Sequence, residues 1–285
     1  MSNANSVLVV GDAIMDNQYY VEALPKAGQD VKIVDFSKST GGSAANAAIV
    51  LSKCGVKTYF CCSVGADADG QTFIENFKKG DVDTSLVRQS GKTGFTVTMV
   101  DNSGERTMLS YRGASASTMK VTQALAGRIK KVSMVLLSGY MLTEKSQAAF
   151  VLEIAKEAKA GGTPVALDPT PVVGSVGKTV LKKVLALTDV LLPNESELNT
   201  ITQMVGKVSV PCVAVKMGSR GAKMMFDIAE YSRPANEVDA VDTTGAGDAF
   251  NAAFIASMVS GDPPQTWLKK GVEFAAEVVA RKGAV

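Results

Sequence analysis

Short apolar runs alternate along the chain with stretches that have helical periodicity. The apolar runs lack polar alternation, which is typical of strands covered on both faces of a sheet. They occupy residues 6–10, 58–64, 134–137, 164–167, 189–192 and 212–215. This order predicts an α/β fold with a doubly wound, mostly parallel central sheet flanked by helices. Ligands of such sheets bind beyond the carboxyl ends of the strands.

Amphipathic stretches supply the predicted helices between these strands. They cover residues 43–54, 146–159 and 195–204, and the last helix is expected at 265–281. In the first stretch three alanines and Leu51 share one face. Gly55 marks its end, because glycine readily adopts the left-handed conformation that follows a helix.

Two regions break the α/β pattern. Residues 19–39 have no helical period, and residues 95–111 alternate like exposed antiparallel strands around a turn at 101–104. Both regions lie between α/β units. We predict a small β-sheet lid, formed by roughly 14–39 and 93–113, on a single domain that covers 1–285.

The composition is that of an ordinary globular protein, with 46% hydrophobic residues, 20% charged residues and a net charge of +2. This balance favours neither nucleic acid nor a membrane surface as a partner. No apolar run has the length of a bilayer span. Residues 1–4 are polar and uncharged, unlike a secretion signal. The four cysteines lie in apolar segments without metal-ligand spacing, which favours reduced thiols in a cytoplasmic protein.

The sequence contains no histidine. This excludes a Ser-His-Asp triad, a Cys-His pair and a histidine-ligated zinc ion within the chain. A general base must therefore be an aspartate, glutamate, lysine, tyrosine or cysteine.

The strongest candidate for chemistry is the turn DTTGAGD at residues 242–248, which precedes an apolar run. Small side chains allow the backbone N–H groups of Gly245, Ala246 and Gly247 to converge on an anion at a helix start. Asp248 lies beside them and can take a proton from a hydroxyl group. An anion hole next to a carboxylate base suits phosphoryl transfer to an alcohol. The alternative is a βα loop that needs glycine only for its geometry.

This turn resembles the carboxyl-terminal motif of the PfkB-type carbohydrate kinases, the ribokinase-like family. The segment GGSAAN at 41–46 is similar to the amino-terminal motif of that family, and implies that Gly41, Gly42 and Asn46 contact sugar hydroxyls. The alternative is a helix start capped by Ser43. An asparagine in an apolar helix is costly without a partner, which favours a ligand role for Asn46.

Further substrate contacts are implied by the same resemblance. Asp16 matches the family aspartate that binds substrate hydroxyls, and Asp12 either assists it or caps the turn. Residues 111–114 resemble an element of acid-sugar kinases in which an arginine meets the substrate carboxylate. Arg112 would then form a bidentate pair, although a solvated arginine is the alternative.

Two segments resemble the nucleotide-binding elements of the family. Asn194 would lie near the phosphates of ATP, and Glu197 would act on Mg²⁺ through metal-bound water. The alternative is a capping box at a helix start. At 216–221, Gly218 and Gly221 match a nucleotide-binding GxxG, with Lys216 where relatives often have threonine. The alternative there is a turn between two strands.

The remaining assignments also follow from the resemblance. Thr243 is expected at the nucleotide, and Ala276 on the last helix is expected at the adenine wall. In some relatives the first aspartate of the turn and the closing segment hold a monovalent cation. This implies Asp242 and the region around Gly283 as a K⁺ site.

The sequence therefore predicts an ATP-dependent kinase that transfers the γ-phosphoryl group to a hydroxyl of a sugar or sugar-like substrate. A nucleoside acceptor is the first alternative, with Tyr19, Tyr20 and Phe36 as candidates for contact with a base. A non-catalytic sugar or nucleotide binder is the second. A dinucleotide-dependent dehydrogenase is disfavoured because no GxGxxG follows the first strand. An exposed lid edge would pair two copies into a homodimer.

Overall fold

The structure is a computed structural model that describes residues 5–103, 105–281 and 283. The expectations for residues 1–4, for position 104 of the predicted turn, and for 282, 284 and 285 of the closing segment lie outside the described residues.

Strands and helices alternate over most of the described chain, as the apolar pattern predicts. The strands are β1 (Ser6–Val10), β2 (Ile14–Val21), β3 (Ile33–Gly41), β4 (Lys57–Cys61), β5 (Ser63–Val64), β6 (Val82–Asp83), β7 (Arg88–Gln89), β8 (Gly94–Val100), β9 (Arg106–Tyr111), β10 (Met134–Ser138), β11 (Val165–Asp168), β12 (Val190–Leu191), β13 (Cys212–Lys216), β14 (Ala222–Phe226) and β15 (Ala229–Arg233). The helices are α1 (Ser43–Lys53), α2 (Ala68–Lys79), α3 (Gln123–Ile129), α4 (Lys145–Ala160), α5 (Lys178–Leu185), α6 (Glu195–Val205), α7 (Ala246–Val259) and α8 (Pro264–Val279).

The large sheet has nine strands within the described residues, in the order β15-β14-β13-β12-β11-β10-β1-β4-β6. The seven strands β13, β12, β11, β10, β1, β4 and β6 are parallel to their neighbours. Strands β14 and β15 add an antiparallel edge next to β13. One buried cluster joins α1, α2, α7 and α8 to the sheet, and a second joins α3 to α6 to its other face. The predicted doubly wound, mostly parallel sheet is therefore confirmed.

The predicted strand at 58–64 is wrong in its second half. The chain leaves the large sheet after Cys61, and β5 pairs with β7 in a separate two-stranded sheet. The carbonyl of Cys62 accepts a hydrogen bond from the N–H of Arg88 at this junction. Both segments are buried, so the apolar run continues through the break and conceals it.

A second, smaller sheet is formed by β3-β2-β8-β9, which contain the two irregular regions of the sequence. Strands β2 and β8 are parallel, and the two outer pairs are antiparallel. The chain enters β2 after β1 and passes from β3 into α1, and it returns to this sheet later for β8 and β9. The β2–β3 part of the sheet therefore begins and ends at the carboxyl edge of the large sheet, where ligands of α/β proteins bind.

Helix α7 is buried along most of its length, from Ala249 to Ser257. It packs between α1 and α8, and a Cβ at Gly271 of α8 would lie 2.8 Å from the ring of Phe250. Glycine at 271 therefore allows close contact between the two helices. This packing holds the turn at 242–248 in a fixed position relative to the sheet.

Candidate active site

A cavity of about 490 Å³ lies between the carboxyl ends of the parallel strands and the small sheet. Five polar residues reach it from the ends of neighbouring strands. They are Asp12 after β1, Tyr140 after β10, Asp168 at the end of β11, Asn194 after β12, and Lys216 at the end of β13. Their convergence follows from the parallel arrangement, because these strands all end at the same edge of the sheet.

Two helix starts and the small sheet complete the walls of the cavity. The starts of α1 and α7 contribute Gly42, Ser43, Asn46, Gly245, Gly247 and Asp248. The small sheet and the residue that follows it contribute Ile14, Asp16, Thr96, Met108, Ser110 and Arg112. Glu197, Gly218, Thr170, Pro171 and Thr244 also line the cavity. Most of the predicted site residues are thus brought together, whereas Gly41, Gly221, Asp242, Thr243, Ala246 and Ala276 are not among the lining residues.

Asp248 is held by two side chains of α1. Its Oδ1 accepts a hydrogen bond of 2.7 Å from Ser43 Oγ, and its Oδ2 accepts one of 2.8 Å from Asn46 Nδ2. The partner that a buried Asn46 requires is therefore the predicted base. The alternative interpretation, in which Ser43 caps α1, is wrong. Gly42 occupies the cap position without a side-chain cap, and the Ser43 hydroxyl turns to carboxylates instead.

The pKa of Asp248 is raised to about 7. Burial is the largest cause, and the negative charge of Asp168 adds to it. Hydrogen bonds from Ser43 and Asn46 and the charge of Lys216 oppose the shift because they favour the ionised carboxylate. A carboxylate with this pKa is suited to take a proton near neutral pH.

The turn before α7 contains a left-handed glycine directly ahead of the helix start. Gly245 adopts a left-handed φ of 78°, and α7 begins at the next residue. The N–H of Ala246 donates to the carbonyl of Thr243 at 3.3 Å. A Cβ at Gly247 would lie 3.8 Å from Lys216 Nζ, so the absence of a side chain leaves the backbone open to the cavity beside a cation.

Lys216 supplies positive charge next to this helix start. Its Nζ donates to Asn251 Oδ1 at 3.1 Å and lies 3.7 Å from Asp168 Oδ1. Both contacts fix the ammonium group at the base of the cavity. The sequence predicts a site role for Lys216. It carries no signal for Asn251 of α7, which is identified only by its hydrogen bond to Lys216 at the end of β13.

Asp12, which follows β1, is almost fully buried in the wall of the cavity. It accepts a hydrogen bond of 3.1 Å from Ser138 Oγ and lies 3.8 Å from Arg112 Nη1. Burial raises the pKa of Asp12 although Arg112 opposes the shift. The Arg112 guanidinium lies over the ring of Tyr140, 5.3 Å from its centroid. Arg112 is therefore part of the cavity wall rather than an isolated solvated side chain.

Asp16 lies at the edge of the cavity on β2. Burial, with a further contribution from Asp12, raises the pKa of Asp16 to about 6. A Cβ at Gly41 would lie 1.9 Å from Asp16 Oδ2. Asp16 fits only because residue 41 is a glycine. Gly41 therefore has a packing role, although it does not line the cavity.

Asn194 and Glu197 form the capping box that was the alternative to a nucleotide role. The N–H of Glu197 donates to Asn194 Oδ1 at 2.8 Å, and the Glu197 carboxylate accepts from the N–H and Nδ2 of Asn194. Burial raises the pKa of Glu197, and the charge of Lys216 opposes this shift. Both residues also line the cavity, so the cap and an additional role are compatible.

Asp242 ties the turn at 242–248 to two distant segments. Its Oδ1 accepts from the N–H and hydroxyl of Thr244 and lies 3.4 Å from Arg106 Nη2, and its Oδ2 accepts from the N–H of Gly283. Partial burial would raise its pKa, but these hydrogen bonds outweigh burial and lower it. Arg106 also donates to Thr244 Oγ1 at 3.1 Å, which links β9 to the turn.

The segment 216–221 is a tight turn between the antiparallel strands β13 and β14, as its alternative interpretation predicts. Gly218 lines the cavity, whereas Gly221 has a φ of 91° and a Cβ there would lie 2.0 Å from the Arg233 carbonyl oxygen. Glycine at 221 is therefore explained by packing on β15. Thr243 is exposed, and Ala276 is half-buried on α8.

Ser43, Asp168, Tyr140 and Thr170 are site residues that sequence reasoning did not assign. Thr170 lies two residues after Asp168, the carboxylate at the end of β11. Its φ of 58° is strained for a β-branched residue. The available signal was position, because polar residues directly after buried parallel strands lie at the ligand-binding edge. Tyr19, Tyr20 and Phe36, the candidates for contact with a nucleoside base, are not among the lining residues.

A family profile described as pfkB family carbohydrate kinase matches residues 4–285. The chain belongs to this family. Ribokinase from Arabidopsis thaliana is 31% identical over 309 residues, which cover 100% of this chain and 78% of that protein. An ATP-dependent ribose-1-phosphate kinase from Halopiger xanaduensis is 33% identical over 287 residues, covering 98% of this chain and 90% of the relative.

A solved structure supports the same assignment. Arabidopsis thaliana ribokinase complexed with ribose and ATP aligns with a TM-score of 0.87 at 29% identity, covering 99% of this chain and 94% of that chain. The protein is thus a pfkB family sugar or nucleoside kinase with the ribokinase-like fold, and a phosphotransferase. Across the part of the chain that the structure describes, no helix has the length and hydropathy needed to cross a bilayer.

Proposed function

We propose that this kinase uses ATP to phosphorylate a hydroxyl group of a sugar or sugar-like substrate, with Asp248 as the general base. The observation that carries the proposal is the position of Asp248, which lines the cavity beside the start of α7 and is held by Ser43 and Asn46. Its raised pKa allows it to accept a proton near neutral pH.

In the proposed reaction the acceptor hydroxyl lies against the Asp248 carboxylate. The hydroxyl oxygen forms a bond to the γ-phosphorus as the bond from that phosphorus to the β,γ-bridging oxygen breaks, and the hydroxyl proton passes to Asp248. Backbone N–H groups at Gly245, Ala246 and Gly247 stabilise the phosphoryl oxygens, together with the Lys216 ammonium group. The Ala246 N–H would exchange its bond to the Thr243 carbonyl for one to a phosphoryl oxygen. The left-handed Gly245 and the open backbone at Gly247 support this role.

ATP would lie along the turn from Lys216 to Gly221, with Asn194 and Thr243 near its phosphates and Ala276 near its base. The binding of ATP by Arabidopsis thaliana ribokinase supports this assignment. Gly218 and Asn194 open directly onto the cavity.

Mg²⁺ would be bound mainly by the phosphates of ATP. The described residues contain no cluster of three or more carboxylate or thiol ligands, and both Glu197 oxygens accept hydrogen bonds from Asn194. These facts fit a cation that keeps several waters and meets Glu197 through one of them. When bound, the ion neutralises charge between the phosphates.

A monovalent cation such as K⁺ at Asp242 would replace the contact of Asp242 with Arg106. Faster turnover in K⁺ than in Li⁺ would support this site.

The acceptor would contact Asp16, Asp12 and the backbone at Gly41 and Gly42, with Asn46 beside the base. We favour a sugar over a nucleoside because the aromatic residues expected to contact a base do not line the cavity. Relatives are named ribokinase, deoxyribokinase and ribose-1-phosphate kinase, which supports a pentose-type acceptor. Arg112, which borders the cavity, would meet an anionic or hydroxyl group of the substrate.

We propose that the small sheet is the lid of a single catalytic domain and that it excludes water from the site. Asp16, Thr96 and Ser110 share one row of this sheet and face the cavity. Their neighbours lie on the outer face, which exposes Phe36, Phe95, Leu109 and Tyr111. This apolar surface favours a homodimer formed through the outer face of the lid, in addition to its edge strands.

The dimer is tested by light scattering on the wild type and on Leu109→Lys, with Met225→Lys on the exposed side of β14 as the control. We expect a dimer that only Leu109→Lys dissociates, and a monomeric wild type would contradict the proposal.

We also propose a cytoplasmic location, supported by four free cysteines, three of them buried. Cell fractionation with a carboxyl-terminal epitope tag would test it.

The main experiment is ADP release with Mg-ATP and a panel of acceptors: ribose, deoxyribose, ribose 1-phosphate, fructose, a sugar acid and inosine. We expect release with at least one sugar and a loss of kcat by about 10³-fold or more in Asp248→Asn with retained ATP binding. Asp239→Asn, at an exposed position, serves as the matched control. Bound ligand without ADP release for every acceptor would indicate a non-catalytic binder instead.

A further inference from the structure

The hydroxyl of Ser43 lies between two carboxylates. Ser43 Oγ is 2.7 Å from Asp248 Oδ1 and 3.2 Å from Asp168 Oδ2. A serine hydroxyl carries a single proton, so it can donate to only one of them at a time. The shorter distance identifies Asp248 as the acceptor in this structure, and leaves Asp168 as the second position.

Asp168 is held in place by contacts that do not involve Ser43. Its Oδ1 accepts from the N–H of Thr170 at 3.3 Å and lies 3.7 Å from Lys216 Nζ. The strained backbone at Thr170 belongs to the same turn. Asp168 therefore presents its Oδ2 to Ser43 from a fixed position.

We propose that Ser43 and Asp168 form a two-position switch behind the base: the Ser43 hydroxyl donates to Asp248 while that carboxylate is ionised, and turns to Asp168 when Asp248 takes the proton of the acceptor hydroxyl. The proton comes from the acceptor O–H bond and stays on Asp248. Ser43 keeps its own proton and only rotates. Both are positioning residues, and their role in turnover rests on the proposed function of Asp248.

The switch adjusts the proton affinity of Asp248 in two opposite ways. Donation by Ser43 stabilises the ionised carboxylate, whereas the negative charge of Asp168 destabilises it. Both effects agree with the causes of the raised pKa of Asp248. The other charged or titratable groups that line this cavity are Lys216 from β13, Tyr140 after β10, Asp12 after β1, Glu197 on α6, Asp16 on β2 and Arg112 after β9.

The test is the titration of the Asp248 carboxyl in the ligand-free protein, followed by NMR with ¹³C-labelled aspartate and assigned with Asp248→Asn. We expect Asp168→Asn to lower the midpoint by about one pH unit and Ser43→Ala to raise it by a similar amount. Ser43→Thr retains the hydroxyl and should restore the wild-type midpoint. Ser52→Ala removes a hydroxyl of the same helix that donates to the Asp81 carbonyl and does not line the cavity, and it should leave the midpoint unchanged.

Opposite shifts that fail to add in the double variant Ser43→Ala/Asp168→Asn would support the switch, because independent contacts give additive effects. Additive shifts, shifts in the same direction or no shift would overturn it. Ser43→Ala and Ser43→Thr form an independent pair if Asp168→Asn fails to fold. With an accepted sugar, the midpoint of the acid limb of kcat/KM should move in the same direction as the carboxyl titration. Absence of phosphorylation with every acceptor would contradict the proposed function, while the titration tests the arrangement of the carboxylates separately.

Discussion

Asn46 Nδ2 donates to Asp248 Oδ2 at 2.8 Å, and the two residues are 202 positions apart in the sequence. This contact joins the first turn of α1 to the first turn of α7 and fixes one oxygen of the proposed base. The sequence marked both residues through separate motifs. The structure shows that one motif supplies the hydrogen-bond donor for the other.

Removal of this donor should weaken catalysis. Asn46→Ala eliminates a hydrogen bond to a charged group, a contact worth about 1.5–3 kcal/mol. We expect kcat/KM at pH 7 to fall by roughly 10- to 100-fold and the midpoint of its acid limb to move to higher pH, since the ionised form loses support. Asn76→Ala, which removes an amide that donates to Thr40 Oγ1 and does not line the cavity, is the control. An unchanged pH profile would argue that Asn46 contacts only substrate.

The wild-type enzyme should lose activity as the pH falls through 7. The proposed base acts in its ionised form, and the pKa of Asp248 is about 7. We therefore expect kcat/KM to rise about tenfold per pH unit below this value and to level off above it. Steady-state rates between pH 5.5 and 8.5 at constant ionic strength provide the measurement. A profile that is flat between pH 6 and 8 would be inconsistent with this base.

The same raised pKa should reduce the stability of the fold at neutral pH. Between the ordinary pKa of 3.8 and the value of about 7 in the folded protein, the folded state binds more protons than the unfolded state. Stability attributable to Asp248 therefore falls as the pH rises through this window. We expect Asp248→Asn to increase Tm by several degrees at pH 8 and by much less at pH 5. Calorimetry of both proteins checks this, and a Tm difference that does not depend on pH would exclude the linkage.

Arg106 should link closure of the small sheet to the turn before α7. It donates to Thr244 and lies beside Asp242, and its side chain is 44% exposed. Exposed ion pairs contribute about 1 kcal/mol or less to stability, so Arg106→Ala should change Tm little. We expect a rise in KM for the acceptor of several-fold. Arg88→Ala removes another exposed arginine contact and serves as the control. Equal effects of the two variants would refute a specific link.

Local patterns predicted the elements of the large sheet closely. The strand at 6–10 has the expected bounds, and the helices predicted at 43–54 and 195–204 start at the expected residues and end within one residue of the prediction. Buried parallel strands and amphipathic helices leave clear periodic signals. The run at 58–64 failed, because β4 and β5 are both buried and periodicity cannot detect a change of sheet. Apolar character reports burial, but it does not identify the neighbouring strand.

The candidate site was predicted unevenly. Asp248, the turn before it, Asn46 and Lys216 carried a motif or a chemical signal of their own. For Ser43 the sequence offers only a helix cap, as the alternative to the sugar-binding motif, because serine is common at caps. Its partners Asp248 and Asp168 come from segments 205 and 125 positions away. No local pattern reports such distances.

The sequence by itself determined the alternation of strands and helices, the lack of histidine, the family motifs and the identity of the acid beside the glycine turn. Only the tertiary structure decided which of these groups meet and how strongly each holds a proton. The reason is physical: propensity and periodicity act over a few residues. The electrostatic environment of Asp248 depends on burial and on charges that packing brings from the ends of separate strands.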